Sequence, residues 1–227
     1  MVTRTDSRAP SRRPVSRERI LRTAIDLADR EGIEAVSMRR IAFELGVVPM
    51  ALYKHVANKE EILDGMVELV IGEIDPPLSD GDWKTAARTR ILSARRALLR
   101  HPWAARVIET RTDPGPAMLA YMDSMIGLFL AAGFSIDLTH HALHALGNRL
   151  LGYTQELFDD SEEVDPDAEA AMWEALADTY PHIHQIVVSV THDDASVVGG
   201  RGCDDQFEFE FALDLMLDGL ERIRAGT

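Results

Sequence analysis

The chain has 227 residues, of which 46% are hydrophobic and 27% charged, with a single cysteine and a net charge of −14. That length can bury a substantial apolar core, and the balance excludes wholesale disorder. No apolar run reaches the ~18–20 residues of a membrane span, the Arg-, Ser- and Pro-rich start is no secretory signal, and a lone Cys203 makes no intrachain disulfide, which fits a cytoplasmic setting.

Residues 1–60 carry 12 basic against 8 acidic side chains, a net of +4, whereas residues 61–227 carry 12 against 30, a net of −18. A basic head on an acidic body can dock nucleic acid in one orientation; the same balance also fits a solvated charged face behind a disordered basic tail, residues 1–15. After that tail, Ser16 is placed to cap a helix carrying Ile20, Ala24, Leu27 and Ala28 at helical spacing and stopping at Gly32. Ser37 is placed to cap a second helix through Met38, Ile41, Ala42 and Leu45, closed by Gly46. A third, short helix begins at Pro49, whose fixed φ suits a first turn, and reads Pro49 to Val56. Asn58 opens a fourth, with Glu61 positioned for a capping box.

A helix, a tight turn at Gly46-Val47-Val48 and a short second helix have the spacing of a helix-turn-helix, whose second helix enters the major groove. Leu52 and Val56 are predicted to face inward, toward Ile41 and Leu45. Pro49, Met50, Ala51, Tyr53 and Lys54 then face out, with His55 beside them and Arg39 and Arg40 early in the preceding helix.

The body is predicted to be helical throughout. The fourth helix extends to about Ile74; further helices cover Trp83 to Arg100, Trp103 to about Arg111, Pro116 to Gly133, about Asp137 to Phe158, around Ala168 to Asp178, and about Asp204 to Arg224. The acidic stretch from Asp159 to Asp167 is predicted as a loop, and Thr191 to Gly202 as the flexible segment. The helices from Asp137 and from Asp204 are apolar over more than one stripe, which points to burial against a second copy in a four-helix, two-fold interface.

The head, through Glu31-Gly32, Ser37 to Ala42, Leu45-Gly46-Val47, Ala51 to Val56 and Asn58-Lys59-Glu60, resembles the DNA-binding domain of the TetR family of bacterial repressors. The body resembles the C-terminal domain of the tetracycline-repressor branch through Arg95 to Arg100, Gly133-Phe134-Ser135 and Leu151-Gly152. The resemblance implies an all-α fold, with an N-terminal three-helix helix-turn-helix DNA-binding domain at residues 16–63. A C-terminal helical ligand-binding and dimerisation domain follows at 64–227. It implies base readout by Arg39, Pro49, Met50 and Ala51, and phosphate contacts by Ser37, Tyr53, His55 and Lys59. Met38 and Lys54 belong to the same DNA-facing set. Pro49 and Met50 supply no side-chain hydrogen bonds, so readout here leans on Arg39, Lys54, thymine methyl groups and DNA shape.

The expected function is a homodimeric repressor that binds a palindromic double-stranded operator and is released by a small-molecule effector. Effector contacts are expected among Trp103, Met118, Tyr121, Met122, Met125, His141, His144 and Asn148, although methionine and aromatic residues serve packing equally well. Tetracycline repressors bind drug and metal through a histidine at the end of the fourth helix. Glu73-Ile74-Asp75 stands there in this chain, which argues against tetracycline–magnesium. No cofactor is expected. The alternative is a zinc-type metal-responsive regulator using His140, His141 and His144, since residues four apart on a helix share a face. No phosphate loop, nucleophile elbow or metalloprotease motif points to an enzyme.

Overall fold

A computed structural model of the chain describes residues 14–78, 81–152, 166–189 and 205–226. Within these the chain is helical and free of strands, and no helix is long and apolar enough to cross a membrane. The helices are α1 (Arg17–Glu31), α2 (Met38–Leu45), α3 (Lys59–Ile71), α4 (Trp83–Arg100), α5 (Trp103–Glu109), α6 (Pro116–Ala131), α7 (Ile136–Gly152), α8 (Pro166–Leu176), α9 (Pro181–Ser189) and α10 (Asp205–Gly226), with 3-10 turns at Ile33–Ala35 and Pro49–Lys54.

The chain divides into two compact units. One contains residues 1–76 and 92–123, the other 77–91 and 124–227. The division expected after residue 63 falls inside α3.

In the first unit, local signals in the sequence set the helix limits. Ser16 Oγ accepts from the Arg19 N–H, Ser37 Oγ from the Arg40 N–H and Asn58 Oδ1 from the Glu61 N–H, each satisfying a donor that a helix start leaves open. Glu61 closes the reciprocal half of its cap on the Ala57 N–H at 2.7 Å, one residue before the position a capping box uses. Gly46 ends α2 in the left-handed region, at φ 67° and ψ 36°, where a side chain would be strained. Ile20, Leu27, Ile41, Leu52, Ile62 and Met66 are fully buried in one core, and Trp103, Ala104 and Val107 of α5 belong to that same core. α3 ends at Ile71, three residues short of the expected limit, because Gly72 intervenes and Glu73 and Ile74 continue only as tight turns bonded to Val70 and Ile71.

The second unit is built on Phe129, Phe134 and Trp83, whose rings stand 4.8–5.8 Å apart, and on one face of α10. Phe209, Leu213, Leu217 and Leu220 make that buried face, packed against α7 with its buried Ala142 and Leu146. The Arg224 guanidinium lies over Trp83 and Phe134 and donates to the carbonyl of Ala132 just past the end of α6 at 2.6 Å. Along the other side of α10, Phe207, Phe211, Leu215 and Ile223 remain about half exposed, so the helix does carry two apolar stripes. An ion-pair ladder joins α4 to the same helix, with Arg88 held by Asp214 and Glu210, and Lys84 by Asp218.

Besides the shorter α3, two features of the body differ from the predicted elements. α8 begins at Pro166, so Asp167 lies in its first turn rather than in the preceding loop; proline is well suited to that position. α9, opened by Pro181, was not expected: its His-Ile-His-Gln-Ile-Val-Val run is rich in β-branched residues that disfavour helix. The basic tail up to residue 13, the end of the long helix from 153, the acidic loop to 165, and the stretch 190–204 with His192 and Cys203 lie outside the described residues.

Candidate nucleic-acid interface

The reading segment is a 3-10 turn rather than an α-helix. Ala51 donates to the carbonyl of Val48 and His55 to that of Leu52, both i to i+3 bonds, and Val48 enters in extended conformation. At three residues per turn, Met50 and Tyr53 share one edge, and both are exposed, Met50 at 71%. Leu52 and Val56 are buried, anchoring the segment to Ile41 and Leu45 as expected from their spacing. Pro49 and Lys54 are exposed as well, while Ala51, His55 and Lys59 are half-buried.

The structure separates the two arginines at the head of α2. Arg40 bonds to Glu31 at 2.7 Å and pairs with Glu44 at 3.3 Å, across to α1 and along its own helix. Arg39 is exposed, and among the described residues no hydrogen bond or ion pair engages it. Met38 is half-buried against the core, so its side chain serves packing more than reading. Ser37 spends one lone pair on its cap and keeps its hydroxyl proton for an outside acceptor. Lys59 is the first residue of α3, where open backbone N–H groups suit a phosphate. Sequence reasoning passed over Phe43 and Val48, exposed at 75% and 67% beside this face. The signal was available for Phe43, which falls off the buried positions 41, 42 and 45 of its own helix.

The eight expected effector residues divide between the two units. Trp103 is buried in the core of the first, with its indole N–H bonded to Asp29 at 2.7 Å, and Met118 and Tyr121 pack on that core. Met122, in the same unit, is exposed. In the second unit Met125 is buried, while His141, His144 and Asn148 are exposed on α7, away from its buried Thr139, Ala142 and Leu146. None of the eight lines either of the two hollows described: one of about 280 Å³ beside Glu60, Asp64 and Arg111, the other of about 510 Å³ beside Arg88, Phe207 and Phe211.

The His140 and His144 rings stand 4.5 Å apart and those of His140 and His141 5.4 Å. Even so, no three histidine, cysteine or carboxylate side chains among the described residues come together to hold a metal ion. At the end of α3, Glu73 pairs with Arg100 and lies 3.4 Å from His101, and Asp75 pairs with Arg96 and accepts from the Ser93 hydroxyl. Ion pairs therefore engage both acidic side chains of the Glu73-Ile74-Asp75 stretch.

A short reading segment with exposed Pro49, Met50, Tyr53 and Lys54, preceded by a capped α2 that presents exposed Arg39 and followed by the N-terminus of α3, defines a helix-turn-helix DNA-binding protein. Residues 20–66 match the model of the bacterial regulatory proteins, tetR family, and residues 75–224 that of the tetracyclin repressor-like C-terminal domain. The chain belongs to the TetR family of DNA-binding transcriptional regulators. It is 32% identical over 219 residues to the tetracycline repressor protein class C of Escherichia coli, covering 94% of each chain. With the HTH-type transcriptional repressor DrrR1 of Streptomyces coeruleorubidus it shares 29% identity over 222 residues, 94% of this chain and 81% of that one. The solved structure of the TetR family protein ActR of Streptomyces coelicolor in complex with (S)-DNPA superposes with a TM-score of 0.74 at 27% identity, covering 95% of this chain and all of that one.

Proposed function

We propose that the protein is a cytoplasmic repressor that binds a palindromic operator as a homodimer and leaves it when a small organic effector binds the helical body. The observation that carries this reading is the outward face of the head: Arg39, Pro49, Met50, Tyr53 and Lys54 stand exposed over the buried Leu52 and Val56. The exposed Phe207, Phe211 and Leu215 stripe on α10 supports the two-fold pairing, since a monomer has no use for a second apolar face on one helix. Two recognition segments reading successive major grooves then stand about 34–36 Å apart.

A response to an organic molecule is supported by ActR, solved with (S)-DNPA and with actinorhodin. An effector shifts the population between DNA-competent and released dimers by no more than its differential affinity for the two. α3 is the natural lever, because it starts at the DNA-facing Lys59 and ends among the ion pairs of Glu73 and Asp75.

The test is selection of duplexes from a random library by the purified protein, followed by fluorescence anisotropy against salt and scrambled competitor. The expected result is a palindrome bound by one dimer with a steep salt slope, and release of that duplex then serves to screen organic effectors. Failure to enrich any duplex over scrambled DNA overturns the reading. Binding that requires added zinc redirects it to the histidines of α7.

A further inference from the structure

Three of the histidines stand on one open face of α7. Asp137, His140, His141, His144 and Asn148 are all exposed there, opposite the buried Thr139, Ala142 and Leu146. Residues 140 and 144 are four apart, which on a helix stacks them one turn above the other. Their ring centroids lie 4.5 Å apart with the planes at 71°, edge toward face. His141, although next in sequence, turns elsewhere, with its Nε2 3.7 Å from Asp137 Oδ1. Among the described residues no hydrogen bond or ion pair engages His140 or His144, so the nitrogens of both imidazoles are open to an outside partner.

We propose that His140 and His144 form a two-imidazole chelate for a late first-row transition metal ion, Cu(II) foremost. Imidazole nitrogen is a donor such ions favour, and bonds of about 2.0–2.1 Å, the length zinc makes, put two ligands at right angles about 3 Å apart. Rings already in contact across one turn reach that separation by side-chain rotations, which exposed residues make freely. No third histidine, cysteine or carboxylate among the described residues joins the pair, so it does not build the closed tetrahedral shell of a structural zinc site. The remaining positions fall to water, an arrangement that suits the tetragonal preference of Cu(II) better than the tetrahedral one of Zn(II). Cu(II) is therefore expected to bind more tightly than Ni(II) or Zn(II), whereas Mg(II) and Ca(II), which take oxygen ligands, are left unbound. The site lies wholly on α7 and stands whether or not the chain binds DNA.

The competing account is scattered weak binding by single exposed histidines, such as His182 on α9. The two separate on titration of the full chain, free of any affinity tag and stripped with chelator, followed by calorimetry and by electron paramagnetic resonance of Cu(II). The proteins are wild type, His140→Ala, His144→Ala, the double variant and His141→Ala. Each carries Cys203→Ser, so that the thiol takes no copper, and each is checked for helicity by circular dichroism. A chelate predicts one Cu(II) per chain held more tightly than any other, with the hyperfine pattern of two imidazole nitrogens. Since the second imidazole meets a metal already held by the first, either single substitution lowers the affinity at least about tenfold, and the double variant adds little to that loss. His141→Ala keeps the site. The proposal is overturned by small, equal losses from all three single substitutions, by a loss in His141→Ala as large as in His144→Ala, or by a tightest site that survives in the double variant. All three positions are exposed, so the substitutions remove no packing; a variant with altered helicity is replaced by the glutamine substitution at the same position, judged by the same outcomes.

Discussion

Trp103 at the start of α5 donates its indole N–H to Asp29 near the end of α1 at 2.7 Å, a bond between residues 74 apart in the chain. The same carboxylate receives Nδ1 of His101 at 2.9 Å, and His101 Nε2 in turn lies 3.4 Å from Glu73. Asp29 therefore satisfies two largely buried donors and joins the DNA-binding head to the segment that opens α5.

Removing that acceptor strands both donors in the core. Asp29→Ala is expected to cost about 1–3 kcal/mol of unfolding free energy, and Asp29→Asn less, since it keeps one oxygen. Urea unfolding followed by tryptophan fluorescence measures it; an Asp29→Ala as stable as wild type contradicts the role given to this carboxylate.

Acid stability follows from the carboxylates at the end of α3. Burial pushes the Glu73 carboxyl up, but the hydrogen bond from Arg100 and the charge and bond of His101 together outweigh it and hold the group below its ordinary value of 4.5. Asp75 is held below 3.8 by the Ser93 hydroxyl and then by Arg96. A carboxylate depressed in the folded state contributes stability that is complete above its unfolded value and lost as pH falls through the folded one. The melting temperature is expected to drop with acid below about pH 4.5, and to drop less steeply in Glu73→Gln. Parallel acid limbs for the two proteins count against the assignment.

Leu52 anchors the reading segment by packing alone. It is fully buried and sits in a turn held by only a few i to i+3 bonds. Leu52→Ala is expected to lose about 2–5 kcal/mol and DNA binding with it, whereas Met50→Ala, at an exposed position, leaves stability within about 0.5 kcal/mol. Thermal melts of the two variants make the comparison.

On the outer face, Arg39→Ala is expected to lose about 1–3 kcal/mol of discrimination at one base position. Lys59→Ala weakens every sequence alike and lowers the salt slope by about one. Tyr53→Phe behaves as a phosphate contact does, without altering the ranking of operators. An unchanged ranking in Arg39→Ala assigns readout elsewhere, with Phe43 and Val48 as the next residues to vary.

For the α10 stripe, Phe211→Asp is expected to yield a folded monomer by sedimentation, because the buried face of Phe209, Leu213 and Leu217 is untouched. A dimer that survives the substitution points to another interface.

What could be read in advance was what acts within one or two turns. The caps at Ser16, Ser37 and Asn58, the stop at Gly46 and the limits of α4 depend on residues three or four apart, and their chemistry is explicit in the sequence. The inward Leu52 and Val56 and the outward Met50 and Tyr53 followed from spacing as well. α9 was missed because its β-branched run opposes helix and only its opening proline favours it. The ion pairs of Arg111 with Glu60 and Asp64 were missed for another reason: they span 51 and 47 residues, and nothing local distinguishes Arg111 from any surface arginine. The effector residues stayed indistinct because Trp103 or Met118 packs a core with the same side chain that would line a cavity.

Glu68 on α3 accepts from the Ala117 N–H at 2.8 Å, and Gly115 beside it is constrained by that neighbour, since the missing methyl is the room in which Glu68 sits. A genetic selection for regulators with altered response would therefore be expected to recover changes at a position that has no side chain to touch DNA, effector or partner. Such alleles would look like distant, silent-surface mutations on a sequence map. Their second-site suppressors should be shorter acids or amides at residue 68, which give back the volume that the new side chain takes.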